Sequence, residues 1–249
     1  MKIVAIIPAR YGSKRFPGKP LARIAGKPMI QRVYEQASKT SKLDDVYVAT
    51  DDKRIMVCVE DFGGKAIMTS PGHRSGTDRV HEAAKAMDLK PEDIVVNIQG
   101  DQPLFPPIVL DILIKPLEDD PSLHMSTLYY PVEGKEEATN PNHVKVVMDR
   151  KGHALYFSRA AIPHYRESKA RQPYAKHLGI YAYRMNFLSR YTSLPVGHLE
   201  EVEKLEQLRA LENGFRIMVV QSPVDSVEVD VEADIIKVES MLKTQQSSG

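Results

Sequence analysis

The chain has 249 residues, 42% of them hydrophobic, which is enough to bury a substantial core. Its 34 Lys and Arg against 33 Asp and Glu leave a formal net charge of +1, so no overall field draws it to nucleic acid or an anionic membrane. Cys58 is the single cysteine, which excludes an intrachain disulfide and a zinc site of several thiolates. It stands in the apolar stretch 55–59 and is expected to be buried as a small hydrophobe. No run approaches a membrane span, and the first apolar run is too short, and too soon followed by Arg10, for a signal peptide. A cytoplasmic, soluble protein is expected.

The run Lys2 to Ile7 reads as a buried central strand. The loop after it holds Arg10, Lys14, Arg15 and Lys19, with Gly12 and Gly18 permitting close backbone approach. A basic, glycine-bearing loop at the carboxyl end of a first strand is where an α/β fold places phosphates. Neither GxxxxGK[ST] nor GxGxxG occurs, so the two commonest nucleotide loops are ruled out. Met29, Ile30, Val33, Tyr34 and Ala37 form a helical stripe, and 46–50 reads as a second strand ended by Asp51 and Asp52. A short helix over 54–61, a strand over 65–68, a helix over 78–87 and a buried strand over 93–98 follow. This alternation implies a doubly wound, mostly parallel α/β sheet. Close-set β-like runs at 125–132, 144–148 and 154–157 predict a smaller antiparallel β insertion over about 122–160, inside a single domain of residues 1–249. Beyond it come a strand over 178–183, a helix over 199–213 with Leu199, Val202, Leu205, Leu208 and Leu211 as its stripe, a strand over 216–220 and a closing helix over 233–242. The polar stretch 245–249 is expected to fray.

Two acidic segments suit a divalent metal, because magnesium takes one or two carboxylates together with substrate phosphates. Gly100 lets the chain turn sharply after a buried strand, so that Asp101 projects from the sheet edge beside the phosphate loop; an ordinary Gly-Asp turn is the alternative. Glu228, Asp230, Glu232 and Asp234 supply the second set. There Asp230 is either a metal ligand or the cap of the final helix. Ser75 or Thr77, in Ser70 to Arg79, also reads as a helix cap.

The segment from Ile6 to Leu21 resembles the signature loop of sugar nucleotidyltransferases, in particular of the cytidylyltransferases that activate acidic sugars. Gln99-Gly100-Asp101, Ser75-Gly76-Thr77-Asp78-Arg79, Tyr156-Phe157-Ser158-Arg159 with Ile162-Pro163, His177 to Tyr181, and Leu205 to Arg209 resemble further segments of the 3-deoxy-manno-octulosonate cytidylyltransferase family, in order along nearly the whole chain. The resemblance implies a Rossmann-like nucleotidyltransferase fold and transfer of CMP from CTP to the C2 hydroxyl of an eight-carbon acidic sugar, for lipopolysaccharide synthesis. It implies that Arg10 and Lys19, beside Ala9, hold the triphosphate, that Asp101 and Asp230 hold Mg2+, and that Arg74, Ser75 and Arg79 recognise the nucleoside. It assigns Gln99, Arg159, His177, Tyr181, Glu206 and Gln207 to the sugar, although His177 also reads as a satisfied core histidine. A homodimer is a further implication.

Three departures from the family pattern concern the sugar. Gln102 stands where many relatives have Glu, Ala161 replaces a frequent proline, and Glu228 adds a charge. They resemble the subgroup acting on 8-amino-3,8-dideoxy-manno-octulosonate, with Glu228 as the partner of the ammonium. A sugar-1-phosphate nucleotidyltransferase and a non-catalytic nucleotide-binding regulator are the more distant alternatives; neither accounts for the later segments.

Overall fold

The computed structural model describes residues 1–13, 15–167 and 173–247. Lys14, Ser248 and Gly249 lie outside the described residues. The chain groups into two compact units, one of residues 1–111 with the stretch from Ser226 onward, the other of residues 112–225.

In the first unit, β1 (Ile3–Ala9) leads through a loop and a 3-10 turn (Lys19–Leu21) to a small antiparallel pair, β2 (Arg23–Ile24) and β3 (Lys27–Pro28). Then come α1 (Met29–Ala37), β4 (Asp45–Thr50), α2 (Lys53–Asp61), β5 (Ala66–Met68), α3 (Gly76–Lys85) and β6 (Ile94–Asn97). Strands β6, β1, β4 and β5 lie side by side in that order, all parallel, as the alternation predicts. β1 is buried because nearly every one of its side chains is apolar; Ala5, Ile6 and Ile7 are fully enclosed. Each such isoleucine contributes about 1.5–3 kcal/mol of burial. Its entry is fixed by two carboxylates, Asp93 accepting from Lys2 N (2.7 Å) and Asp44 from Ile3 N (2.7 Å). Its exit is crowded: a Cβ on Gly100 would lie 3.1 Å from the Pro8 carbonyl oxygen, so any larger residue there would have to push the end of β1 aside.

Met29, Ile30, Val33 and Ala37 form the buried stripe of α1. On the same helix Arg32 donates to the Ile24 and Ala25 carbonyls (2.7 and 3.0 Å), which ties the β2–β3 pair to it. The closing helix (Asp234–Ser247) packs Val238, Ile235 and Leu242 around Ile24, Met29 and Val229. It takes in 245–247, part of the stretch expected to fray. Cys58 is only half-buried, and burial still pushes its thiol pKa up.

The division into units falls within α4 (Ile108–Asp119). The second unit continues through β7 (Met125–Val132), α5 (Lys135–Thr139), β8 (Lys145–Met148), β9 (Ala154–Ser158), β10 (Tyr174–Arg184), α6 (Met185–Tyr191), α7 (His198–Glu203), α8 (Leu208–Glu212) and β11 (Met218–Gln221). β7 pairs antiparallel with β10, β8 bridges β10 and β9 antiparallel, and β11 joins β7 in parallel. The antiparallel region therefore runs past residue 160 to Arg184, and the strand expected over 178–183 is the later half of an 11-residue strand. Its register slips between His177 and Tyr181, where Gly179 adopts φ +67°. Arg184 closes this region by donating to the carbonyls of Leu117, Asp120 (3.2 Å) and Leu123 (2.9 Å). Among the described residues no helix is long and apolar enough to cross a membrane.

The helix expected over 199–213 is instead two short helices. Lys204 takes a left-handed conformation (φ +55°) and breaks it, leaving Val202 67% exposed rather than in a buried stripe. The cause is a buried ion pair. In one continuous helix Glu200 and Arg209 would lie about 13.5 Å apart along the axis. The break brings them to 2.7 and 2.5 Å in a two-pronged contact with both side chains under a tenth exposed. Arg209→Ala leaves the Glu200 carboxylate buried and unpaired. We expect it to lower stability by about 3–5 kcal/mol, read from urea midpoints, with the Glu200→Ala/Arg209→Ala double variant less affected than the sum of the single ones.

Candidate active site

The loop after β1 is held by its own backbone and by one stacked cation. The Tyr11 carbonyl accepts from Ser13 N and Gly18 N, both at 2.9 Å, and Gly18 takes φ +73° to make that return. The Arg54 guanidinium lies 3.4 Å from the Tyr11 ring centroid while its Nε and Nη2 donate to Asp52 (2.9 and 2.6 Å). This places Lys19 at the start of the 3-10 turn, pointing to the chain beyond β6.

Lys19 Nζ donates to Asp101 Oδ2 at 2.7 Å and to the Val229 carbonyl at 3.0 Å, and stands 3.9 Å from Asp230 Oδ1. Val229 N donates to the Asp101 carbonyl at 2.9 Å, which clamps the two acidic segments backbone to backbone. Arg15 grips Asp230 with both prongs, Nη1 to Oδ2 (3.0 Å) and Nη2 to Oδ1 (2.8 Å). The Asp230 side chain is not the cap of the closing helix. Asp234, the first residue of that helix, instead turns its Oδ2 back to accept from Asp230 N (2.8 Å) and Val231 N (2.9 Å), both of which precede the helix. Beside them Gln102 Nε2 donates to Glu228 Oε1 at 3.1 Å. Lys19, Asp101 and Asp230, widely separated in sequence, thus meet at one point. Arg10 is exposed at the end of β1 and takes no part in these contacts; Ala9 before it is buried. Among the described residues no group of three or more His, Cys, Asp or Glu could hold a metal ion, and this point offers two carboxylates.

The nucleoside candidates divide. Arg74 is exposed, and Ser75 caps α3, its Oγ accepting from Asp78 N at 3.1 Å. Arg79 is buried: it donates to Thr69 Oγ1 (2.5 Å) and pairs with Asp51 (3.2 Å), so it holds the ends of β4 and β5 together instead of presenting its fork at the surface. Gln99 is half-buried, and its carbonyl accepts from Gln102 N at 3.4 Å.

In the second unit the sugar candidates are mostly enclosed. Arg159, expected to fork a carboxylate, donates to the carbonyls of Glu203 (2.8 Å), Pro141 (2.9 Å) and Lys204 (3.5 Å). The Glu203 carboxylate in turn accepts from Ser158 Oγ (2.5 Å) and Arg159 N (2.9 Å). His177 is a satisfied core histidine. Its Nε2 meets Thr127 Oγ1 at 2.9 Å, Phe157 packs edge-on at 4.9 Å, and burial pushes the imidazole pKa down to about 3. Tyr181 is buried between His177 and Tyr183. The Glu206 carbonyl accepts the Tyr191 hydroxyl at 2.6 Å. Gln207 is 4% exposed, and its Nε2 lacks a hydrogen-bond partner among the described residues.

Sequence reasoning noted Arg15 as a loop cation without singling it out. The signal was its place four residues before Lys19, within reach of the same carboxylates once the loop folds back.

The family model described as "Cytidylyltransferase" matches residues 4–217. The chain belongs to the cytidylyltransferase family. This cytidylyltransferase is 57% identical over 245 residues to the 3-deoxy-manno-octulosonate cytidylyltransferase of Desulfatibacillum aliphaticivorans, covering 98% of this chain and 100% of the relative. It is 53% identical over 243 residues to the 8-amino-3,8-dideoxy-manno-octulosonate cytidylyltransferase of Shewanella oneidensis, covering 97% and 99%. A solved structure described as CMP:2-keto-3-deoxy-manno-octonic acid synthetase complexed with CTP superposes with a TM-score of 0.93 at 43% identity, covering 98% of this chain and 100% of the other.

His177 gives this cytidylyltransferase a predictable pH dependence. The folded protein holds the ring neutral, whereas the unfolded chain protonates it near the usual value of about 6.5. Its contribution to stability is therefore complete above about pH 6.5 and is lost as the pH falls toward 3. His177→Gln should flatten the decline in melting temperature between about pH 7 and 4.5, compared with wild type.

Proposed function

We propose that the protein transfers the cytidylyl group of CTP to the C2 hydroxyl of 3-deoxy-manno-octulosonate and releases pyrophosphate, supplying an activated sugar for lipopolysaccharide. The observation that carries this reading is the meeting of Lys19, Asp101 and Asp230 at one point. The names of relatives at 57% identity support the acceptor.

In this reading the loop cations bind the triphosphate. Arg10, exposed at the end of β1, meets the phosphates as they arrive, and Lys19 orients them against the carboxylates. The donor set at Asp101 and Asp230 consists of hard carboxylate oxygens, which suits Mg2+ completed by phosphate oxygens. Bound there, Mg2+ would neutralise charge growing on the phosphorus oxygens and on the leaving pyrophosphate. The oxygen of the sugar hydroxyl then bonds to the α-phosphorus as the bond to pyrophosphate breaks, its proton passing to solvent, and the protein's contribution is mainly positioning and fixed charge. Ala9 and Ser75 line the nucleotide through backbone groups and Arg74 reaches it from the surface. Arg79 acts indirectly, by bracing the ends of β4 and β5. Within the second unit, the buried Gln207 Nε2 is a donor without a partner among the described residues.

A pyrophosphate-release assay with CTP, Mg2+ and the octulosonate tests the assignment, and a wild-type protein that releases none refutes it. Asp101→Asn and Asp230→Asn should each lower kcat by at least about a hundredfold, the loss of a few kcal/mol of charge stabilisation.

A second reading is favoured by one contact. Glu228 lies on the segment beside Asp101, held by Gln102, and is a carboxylate suited to an ammonium at C8 of the sugar. If 8-amino-3,8-dideoxy-manno-octulosonate is the true acceptor, kcat/KM favours it over the hydroxyl sugar, and Glu228→Gln removes about tenfold or more of that preference. Equal loss on both sugars would assign Glu228 a general role in the segment instead.

A further inference from the structure

The carboxylates assigned to the metal already have cations on them. Lys19 Nζ is 2.7 Å from Asp101 Oδ2 and 3.9 Å from Asp230 Oδ1. Arg15 covers both oxygens of Asp230, at 2.8 and 3.0 Å. Three of the four carboxylate oxygens thus face a resident positive charge, and the two cations formally cancel the two anions. A magnesium ion takes such oxygens at about 2.0–2.1 Å. It cannot do so while the Lys19 ammonium sits between them, and the Arg15 guanidinium on Asp230 would repel it as well. Both cations belong to one loop. Arg15 has 63% of its side chain exposed, so its hold is the weaker; Lys19, at 15%, is the more enclosed. A triphosphate offers that loop a more highly charged partner.

We infer that Arg15 and Lys19 are resident counter-ions of the Asp101–Asp230 pair, and that a triphosphate draws them off so that the pair accepts a divalent cation only together with nucleotide. Arg15 is thereby a positioning residue for the reaction. The inference rests on the proposed metal role of the two aspartates. It makes metal and nucleotide binding mutually reinforcing, each raising the affinity for the other by the same factor.

Binding measurements on the full chain, with no turnover, test it. Free Mn2+ is titrated by electron paramagnetic resonance without nucleotide, and CTP binding is measured by calorimetry in the presence of EDTA. Lys19→Met should take up Mn2+ at least tenfold more tightly than wild type while binding CTP more weakly, and adding Asp101→Asn should erase the Mn2+ gain. Arg15→Gln, a change at an exposed side chain, should move both affinities in the same directions by a smaller factor, and it serves alone if Lys19→Met fails to fold. A merely structural defect weakens both ligands. The inference is overturned if nucleotide-free wild type already binds Mn2+ as tightly as the variants, or if either folded variant loses affinity for Mn2+ and CTP together. Pyrophosphate release by wild type is scored separately, so failure of the proposed reaction is distinguishable from failure of this coupling.

Discussion

One electrostatic junction organises the first unit. A lysine from the loop after β1, an aspartate from the chain after β6 and an aspartate from the approach to the closing helix share a few ångströms. None of the three would stay there alone, since two carboxylates side by side repel and an enclosed ammonium needs an anion. The backbone bond from Val229 N to the Asp101 carbonyl brings the acidic segments together whatever their side chains do, and the lysine makes that closeness tolerable. The parallel sheet has a part in this too. It delivers the ends of β1 and β6 to the same edge, so that residues 82 positions apart become neighbours.

Much of this was legible because apolar periodicity and loop charge are local signals. The runs at 2–7, 46–50, 93–98 and 125–132 announce themselves as strands by short, dense sets of β-branched and aliphatic residues, and the structure's strands lie within two residues of each. The cations of the first loop and the acids near 101 and 230 were visible as types, and the family resemblance implied that they act together. What sequence could not reveal was which cation faces which anion. Arg15 against Asp230 is a contact made across 215 positions, and no periodicity encodes it.

The helix expected over 199–213 was misjudged because a buried polar contact overrode a local pattern. The leucine spacing over 199–213 favours one helix, yet the pairing of Glu200 with Arg209 and the capping of Ser158 and Arg159 by Glu203 favour a break at Lys204. Helix α4 was missed for a simpler reason. Pro106, Pro107 and Pro116 bracket and interrupt its apolar residues, and only packing of Leu110, Leu113, Ile114 and Leu117 into the interior restores the helix. Arg79, Arg159 and His177 show the same competition at single residues. Each has the chemistry for ligand recognition, and each is held by Thr69 and Asp51, by main-chain carbonyls, or by Thr127. A residue type announces a capacity; whether it is used on a ligand or on the protein depends on which partner the fold brings within 3 Å.

The tight passage of Gly100 beneath the Pro8 carbonyl has a mechanical consequence. With no side chain between them, the two segments run close together, and a larger residue at position 100 would press on the Pro8 carbonyl at the end of β1. The arginine- and lysine-bearing loop starts two residues after Pro8, and the first aspartate is one residue after Gly100. Both arms therefore spring from one crowded place, and a side chain added at position 100 would disturb the spacing of the two.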